Sequence, residues 1–270
     1  MNFSLRPFAS RRDYEQGVEL QRLTWGKDFT ECVPATVLRI SQKVGGVTAG
    51  AFDEQDVLAG FVYGISGLRN DQPAHWSHML AVRSEYRGMG LGTKLKALQR
   101  DLLLAAGIEV ALWTYDPLIA GNANFNINLL AARPVEYVPD MYGSNTGSDL
   151  HSGLGTDRFI VQWDMASAAV EQALTGQRRS DTGGDAPLAF DSHAPEAANR
   201  AEASLPDAPT VRVPIPADIQ QVKHDQPETA LSWRSATRDI LQSYMVRGYR
   251  VIGFRHGTDT EPYAYVLSTH

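Results

Sequence analysis

The sequence predicts an α/β (α+β) fold, and three observations carry that prediction. An apolar run, Met79-Leu80-Ala81-Val82, leads into a glycine-rich turn, Arg87-Gly88-Met89-Gly90-Leu91-Gly92, that opens a helix. The helix, Gly90 to Ala106, carries Leu91, Leu95, Leu98 and Leu102 at helical spacing and stops at Gly107, a residue suited to a left-handed cap. Apolar runs of strand length stand on both sides of it.

The elements follow in order. Phe3 to Pro7 reads as a short strand, and Arg12 to Trp25 as a helix with Tyr14, Val18 and Trp25 on one face. Pro34 to Lys43 is a second helix opened by its proline. Gly45 to Phe52 and Val57 to Ser66 form a strand pair turned through Asp53-Glu54-Gln55-Asp56, and His75 to Val82 is the next strand. After the glycine turn and its helix, Ile108 to Thr114 is a buried strand. Asp116-Pro117 supplies an N-cap and a first-turn proline for a helix running to about Ala132. Val135 to Val138 and Asp157 to Met165 are the closing strands of a first domain, 1–165.

From 166 to 210 Ala, Ser, Asp, Gly, Pro and Glu dominate, and after a short helix the segment reads as a flexible linker. Residues 211–270 form a C-terminal extension: a strand at Val211 to Pro214, an amphipathic helix at Pro227 to Arg247 marked by Trp233, Ile240 and Tyr244, and a hairpin from Tyr249 to Phe254 and Pro262 to Leu267. About sixty residues make a thin core by themselves. The extension is therefore expected to dock on the first domain or on a partner subunit, which leaves a homodimer open.

Bulk properties narrow the function. The chain has 270 residues and a net charge of −6, which argues against an electrostatic nucleic-acid binder and gives no basic face for a membrane surface. No apolar run approaches the roughly 18 residues of a membrane span. The first residues lack the apolar stretch of a signal peptide, so the cytoplasm is the expected compartment. One cysteine, Cys32, excludes an internal disulfide and any multi-cysteine metal site; no metal is expected.

A glycine-rich turn between a strand end and a helix start is an anion site, because backbone N–H groups converge unobstructed and the helix dipole adds favourable potential. The spacing decides which anion. A Walker loop places four residues between its glycines and then Lys-Ser/Thr, whereas Gly92-Thr93-Lys94 has that order reversed. The alternation of Gly88, Gly90 and Gly92 also fails the dinucleotide fingerprint.

What remains is Arg-x-x-Gly-x-Gly after an apolar strand and Arg83-Ser84-Glu85-Tyr86. This resembles the acyl-CoA-binding motif of the GNAT superfamily of N-acetyltransferases, and the element order over 1–165 resembles that superfamily's single-domain plan. The resemblance implies a mixed, mostly antiparallel central sheet flanked by helices. It also implies an acyl-CoA co-substrate, acetyl-CoA first and another such as succinyl-CoA second. Met89, Gly90, Leu91, Gly92 and Thr93 would then face the pyrophosphate. Backbone groups of Leu80 and Val82, on either side of Ala81, would pair with the pantetheine arm as an added strand and polarise the thioester carbonyl. Arg87 either supports the loop or meets a phosphate. Asn122 and Asn126, from the cluster Asn122, Asn124 and Asn126, either bond the pantetheine amides or form an Asn-rich first turn.

The catalytic groups are less defined. The superfamily's base is often a carboxylate on the strand before the loop, and this strand has none. His78, two residues before Leu80, is the candidate base, with a packed core histidine as the other reading. His75 belongs to the opposite face by alternation, which argues against the pair chelating a metal. Where the superfamily usually has a proton-donating Tyr, the alignment puts Ile127; Tyr142 is the candidate acid and Tyr115 its alternate. Cys32 has no neighbouring His to activate it.

Residues 113 to 165, with Trp113-Thr114-Tyr115-Asp116-Pro117 and Glu136-Tyr137-Val138-Pro139-Asp140-Met141-Tyr142-Gly143, are similar to a less-characterised subgroup. Its members also carry Trp233-Arg234 and Gly248-Tyr249-Arg250-Val251 in a C-terminal stretch. Arg69, Arg133 and Arg158 are candidates to clamp an acceptor carboxylate. The expected function is N-acyl transfer from acyl-CoA to a small amine such as an amino acid, in a ternary complex. The alternatives are a protein or peptide N-acetyltransferase and a non-catalytic acyl-CoA sensor.

Overall fold

The structure is a computed structural model and describes residues 2–143, 153–177, 183–198 and 205–269. β1 (Ser4–Pro7), β2 (Val47–Phe52), β3 (Leu58–Arg69) and β4 (Gln72–Val82) pair antiparallel in succession. β5 (Val110–Tyr115) joins β4 in parallel, and β6 (Arg133–Val138) pairs antiparallel with β7 (Arg158–Asp164). The seven make one mixed, mostly antiparallel sheet in the order β1-β2-β3-β4-β5-β7-β6. A separate antiparallel sheet has the order β8-β10-β9, from β8 (Thr210–Ile215), β9 (Arg250–Arg255) and β10 (Tyr263–Ser268).

The chain divides into two compact units. The first runs from Met1 to Trp113 and includes Trp163–Leu174. Its α1 (Arg11–Trp25) starts at a capping box in which Ser10 and Asp13 bond each other's backbone N–H. Burial pushes the Asp13 carboxyl up, yet the Arg6 guanidinium at 2.6 Å and the Ala9 and Ser10 amides outweigh it and hold the group well below the usual range. With α2 (Ala35–Lys43), α1 covers one sheet face, where Tyr14, Leu20 and Leu38 bury against Phe61, Tyr63, Met79 and Ala81. α3 (Leu91–Ala105) covers the other, since a Cβ on Gly60 would meet Leu95 at 3.2 Å.

The second unit gathers Thr114–Ser144, Gly153–Gln162 and Thr175–His270. In it α8 (Pro227–Val246) lies against the segments around β6 and β7. Arg234 bonds Asp116 and the Leu154 carbonyl, and Arg238 bonds Asp157, itself fully buried. Tyr265 of β10 donates to the Pro117 carbonyl at 2.7 Å. Of the stretch read as a linker, 178–182 and 199–204 lie outside the described residues. Within the rest, α5 (Ala168–Leu174) forms, and Pro187 and Ala189 exchange backbone hydrogen bonds with Arg212 of β8. α6 (Pro195–Ala198) and α7 (Ile219–Asp225) are single short helices. Among the described residues no helix is long and apolar enough to cross a membrane.

Three local readings differ from the sequence expectation. Asp116 does not cap a helix: its side chain accepts from Leu118 N–H in a turn, and α4 (Ala120–Ala123) begins later with Ile119 as N-cap. The helix expected to reach about Ala132 instead becomes a π-helix over Asn124–Leu129. The Asn126 amide bonds back to the Asn122 carbonyl, the local competition that makes asparagine unfavourable inside an α-helix. On α3 the buried face holds Leu91, Leu95, Lys96, Gln99 and Leu103, while Leu98 and Leu102 are half-buried. The two polar residues are buried because they bond one another and β4.

Candidate active site

The site of the first unit is built where β4 leaves β5. β4 pairs with β3 along its whole length, from Arg69↔Gln72 to Gly60↔Val82, but with β5 only at Ala74, His75 and Trp76. From Ser77 onward the β5 side of β4 has no strand partner among the described residues. The side that each residue presents follows from one bond: Arg83 N–H donates to the Ala59 carbonyl of β3 at 2.9 Å. Backbone groups alternate along a strand, so Ala81 faces β3 as well, and Leu80 and Val82 direct N–H and C=O to the open side. The Arg87 Nε, 3.4 Å from the Val82 carbonyl, lies on that same side. An open edge of this kind accepts an extended amide-bearing chain.

The edge runs straight into the glycine turn. Ser84–Tyr86 form one 3₁₀ turn, held down by Arg83 Nε on the Leu58 carbonyl at 2.7 Å and by an edge contact of Tyr86 with Phe3. Gly88 and Gly90 have φ of 79° and 74°, and a Cβ on either would meet nothing within 4 Å. Their glycine identity therefore answers to backbone conformation and to open space for a ligand, not to packing. The first helical bond of α3 is Lys94 N–H to Gly90 O, which leaves the amides of Leu91, Gly92 and Thr93 as unpaired helix-start donors. Arg87, Gly88, Met89 and Gly90 are exposed around them. These residues fit a pyrophosphate-bearing acyl carrier: donors at the helix start, bare backbone at the turn and a free strand edge beside it.

His78 sits at a break in this strand. The β3–β4 register passes from Tyr63↔Met79 to Gly64↔Ser77, so His78 is the extra residue of a β-bulge. Its ring is exposed and meets Tyr63 edge-on at 6.0 Å. Crowding by protein atoms lowers its pKa below the ordinary imidazole value, against an opposing pull from the Glu31 carboxylate. A lowered pKa favours the neutral imidazole, the state a base needs. His75 faces α3 instead. It is fully buried, its pKa is lowered to about 3 by burial and by Lys96, and it bonds Ser66 Oγ at 2.9 Å and Gln99 Nε2 at 3.0 Å.

Most of the other candidates belong to the second unit. Tyr142 hydroxyl shares a 2.8 Å hydrogen bond with Thr114 Oγ1, and Arg158 stacks over the Tyr142 ring at 5.2 Å. Arg158 is buried, with Asp116 at 3.8 Å; Arg133 of β6 is exposed, as is Arg69 of β3 in the first unit. Asn122 is exposed and Asn126 buried on the π-helix. Tyr115 is fully buried, and burial pushes its hydroxyl well above the usual range, which suits a core residue rather than a proton donor. Cys32 is half-buried in the segment between α1 and α2.

Sequence reasoning missed the bulge, the length of the open edge and Lys96. Only the last left a signal: Lys96, Gln99 and Leu103 recur at helical spacing on the face that meets the sheet.

The unpaired helix-start donors and the splayed strand beside them belong to one α/β domain. Residues 14–121 match the model of the Acetyltransferase (GNAT) family. No curated protein matches the sequence. Solved structures that align with this chain include yncA from Salmonella typhimurium with its cofactor acetyl-CoA, at 17% identity and TM-score 0.48, covering 62% of this chain and 96% of that one. The ribosomal-protein-S18-alanine N-acetyltransferase from Escherichia coli aligns at 14% identity and TM-score 0.47, over 62% of this chain and 96% of its own. A GNAT-family acetyltransferase from Streptococcus pneumoniae aligns at 16% and 0.47, over 60% and 98%.

Proposed function

We propose that this protein transfers an acetyl group from acetyl-CoA to a small amine. The observation that carries the reading is the open β4 edge from Ser77 to Val82 running into the Gly88–Thr93 turn. Such an edge holds a pantetheine arm through Leu80 and Val82, while the turn and the first-turn amides take the pyrophosphate. Hydrogen bonds to a charged group contribute about 1.5–3 kcal/mol each, against about 0.3–1 kcal/mol from the helix dipole. The loop amides therefore dominate.

The chemistry then needs an amine without its proton. We assign the base to His78, which lies at the bulge, is exposed and has its pKa lowered by the protein atoms crowded around it. The amine attacks the thioester carbonyl, an N–H of the open edge stabilises the oxyanion, His78 takes the ammonium proton and the CoA thiolate leaves. The surroundings of His78 suit a cationic acceptor, since Tyr63 flanks it, Glu31 acts on it electrostatically, and the stacked Trp25 and Phe29 pack on the same cluster.

A thiol-release assay tests this with acetyl-CoA and succinyl-CoA as donors, against amino acids, polyamines and free-N-terminus peptides as acceptors. Turnover of acetyl-CoA with a small amine is the expected result. Turnover with peptides alone overturns the acceptor assignment, and preference for succinyl-CoA overturns the acyl assignment. Tight binding with no turnover against any amine replaces the enzyme reading with a sensor.

A further inference from the structure

Behind the fork between β4 and β5 lies a buried lysine. Trp76↔Leu112 is the last paired position of the two strands. The next residue on each is Ser77 and Trp113, which would face each other if pairing continued. The Lys96 ammonium sits between them instead. Its Nζ donates to Ser77 Oγ at 3.1 Å and to Gln99 Oε1 at 2.7 Å, and lies 3.6 Å from the centre of the Trp113 ring and 5.0 Å from that of Trp163. No carboxylate pairs with it among the described residues, although it is almost fully buried.

A buried cation without a counter-ion is costly, so its retention calls for a local account. The neighbours supply one. With three N–H groups, Lys96 donates to Ser77, to Gln99 and into the Trp113 face, and Ser77 O–H donates onward to Gln99 Oε1 at 3.0 Å. With two, it keeps Gln99 and the ring, and Ser77 turns its hydroxyl to donate to the lone pair. Either protonation state is satisfied by one hydroxyl rotation.

The rest of the network fixes its orientation. Gln99 uses its carbonyl for Lys96 and Ser77, so its amide donates to His75 Nε2, and His75 carries its proton on Nδ1 for Ser66 Oγ. Ser66 in turn donates to the Gly45 carbonyl at 2.7 Å. Gly64 is compelled to be glycine here, because a Cβ would lie 2.2 Å from His75 Nε2 and 2.4 Å from the Trp76 carbonyl.

We infer that Lys96 is a positioning residue for the acyl carrier: a wedge from α3 that sets how far β4 and β5 part, and so ties the open edge at Ser77–Val82 to the turn at the start of the same helix. The inference rests on the proposed acyl-CoA site, and it separates two parts of the ligand. The turn alone meets the phosphates, whereas the edge alone meets the pantetheine arm. Loss of the wedge should therefore weaken the arm and spare the phosphates.

The test is calorimetry on the full chain with CoA and with adenosine 3′-phosphate 5′-diphosphate, which has no arm. K96M keeps a long apolar side chain over Trp113, and S77A removes the other end of the tie. K96M is expected to weaken CoA at least about tenfold while the nucleotide stays within about twofold, and S77A to shift the same ratio by less. Equal loss of both ligands, or no change in either, overturns the wedge. If K96M fails to fold, S77A carries the same comparison, and an unchanged ratio there overturns it as well. Failure of the wild-type protein to bind CoA would instead remove the acyl-CoA reading itself.

Discussion

Arg234 of α8 holds the Asp116 carboxylate with both terminal nitrogens, at 3.0 and 2.6 Å, across 118 residues of sequence. Its Nε bonds the Leu154 carbonyl at 2.9 Å, and the side chain is only 5% exposed. Within the second unit this pair fastens the C-terminal helix to the end of β5. Removing Arg234 leaves the half-buried Asp116 with only Arg158 at 3.8 Å and the Leu118 N–H, and breaking a buried pair costs about 3–5 kcal/mol. Urea denaturation of R234M should show a loss of that order. A loss below about 1 kcal/mol would mean the pair behaves like an exposed one.

The buried His75 makes stability depend on pH in a defined direction. Its folded pKa is about 3, against 6.5 for an unperturbed imidazole. Between those values the unfolded chain binds the proton and the folded chain does not, so unfolding becomes more favourable as pH falls. The contribution is fully present above 6.5 and is lost progressively down to about 3, at up to about 1.4 kcal/mol per pH unit. Thermal melts from pH 7 to 4 should show a steeper decline in the wild type than in H75Q. Parallel declines would contradict the assignment.

Gly90 and Gly67 make a matched pair of substitutions. A Cβ on either meets nothing within 4 Å, but only Gly90 has a positive φ, 74°. G90A is expected to lose about 1–2 kcal/mol of stability from the left-handed backbone and to bind acetyl-CoA more weakly, because its methyl occupies ligand space. G67A should be near neutral in both. Unchanged acetyl-CoA affinity in G90A would separate the turn from the ligand.

His78 should act on turnover rather than on binding. H78A is expected to lower kcat by about 10²–10⁴-fold while leaving acetyl-CoA affinity near wild type. In the wild type, activity should fall on the acid side through a pKa below 6.5, since only the neutral ring accepts a proton. A limb that persists in H78A would assign it to another group.

Much of the first unit was legible because its signals are local. The apolar run before Arg87, the alternating glycines and the start of α3 each occupy a few consecutive residues and lie where expected, whereas of the spaced leucines only Leu91 and Leu95 are buried. What stayed hidden depends on partners far away. The bulge at His78 exists only as a shift of β4 against β3, and the fork exists only because β5 stops pairing at Leu112. Lys96 signals its burial only by its spacing with Gln99 and Leu103, and its role emerges only where Ser77, Gln99 and two tryptophans surround it. The π-helix at Asn124–Leu129 is an intermediate case, since the asparagine run hinted at helix trouble without giving its form.

The most direct measurement is calorimetric titration of the full chain with acetyl-CoA, with G90V alongside. The account predicts saturable one-to-one binding in the wild type and its loss in G90V, whose branched side chain enters the space above the turn. Equal binding by both proteins, or none by the wild type, would contradict the assignment of the Gly88–Thr93 turn as the acyl-CoA site.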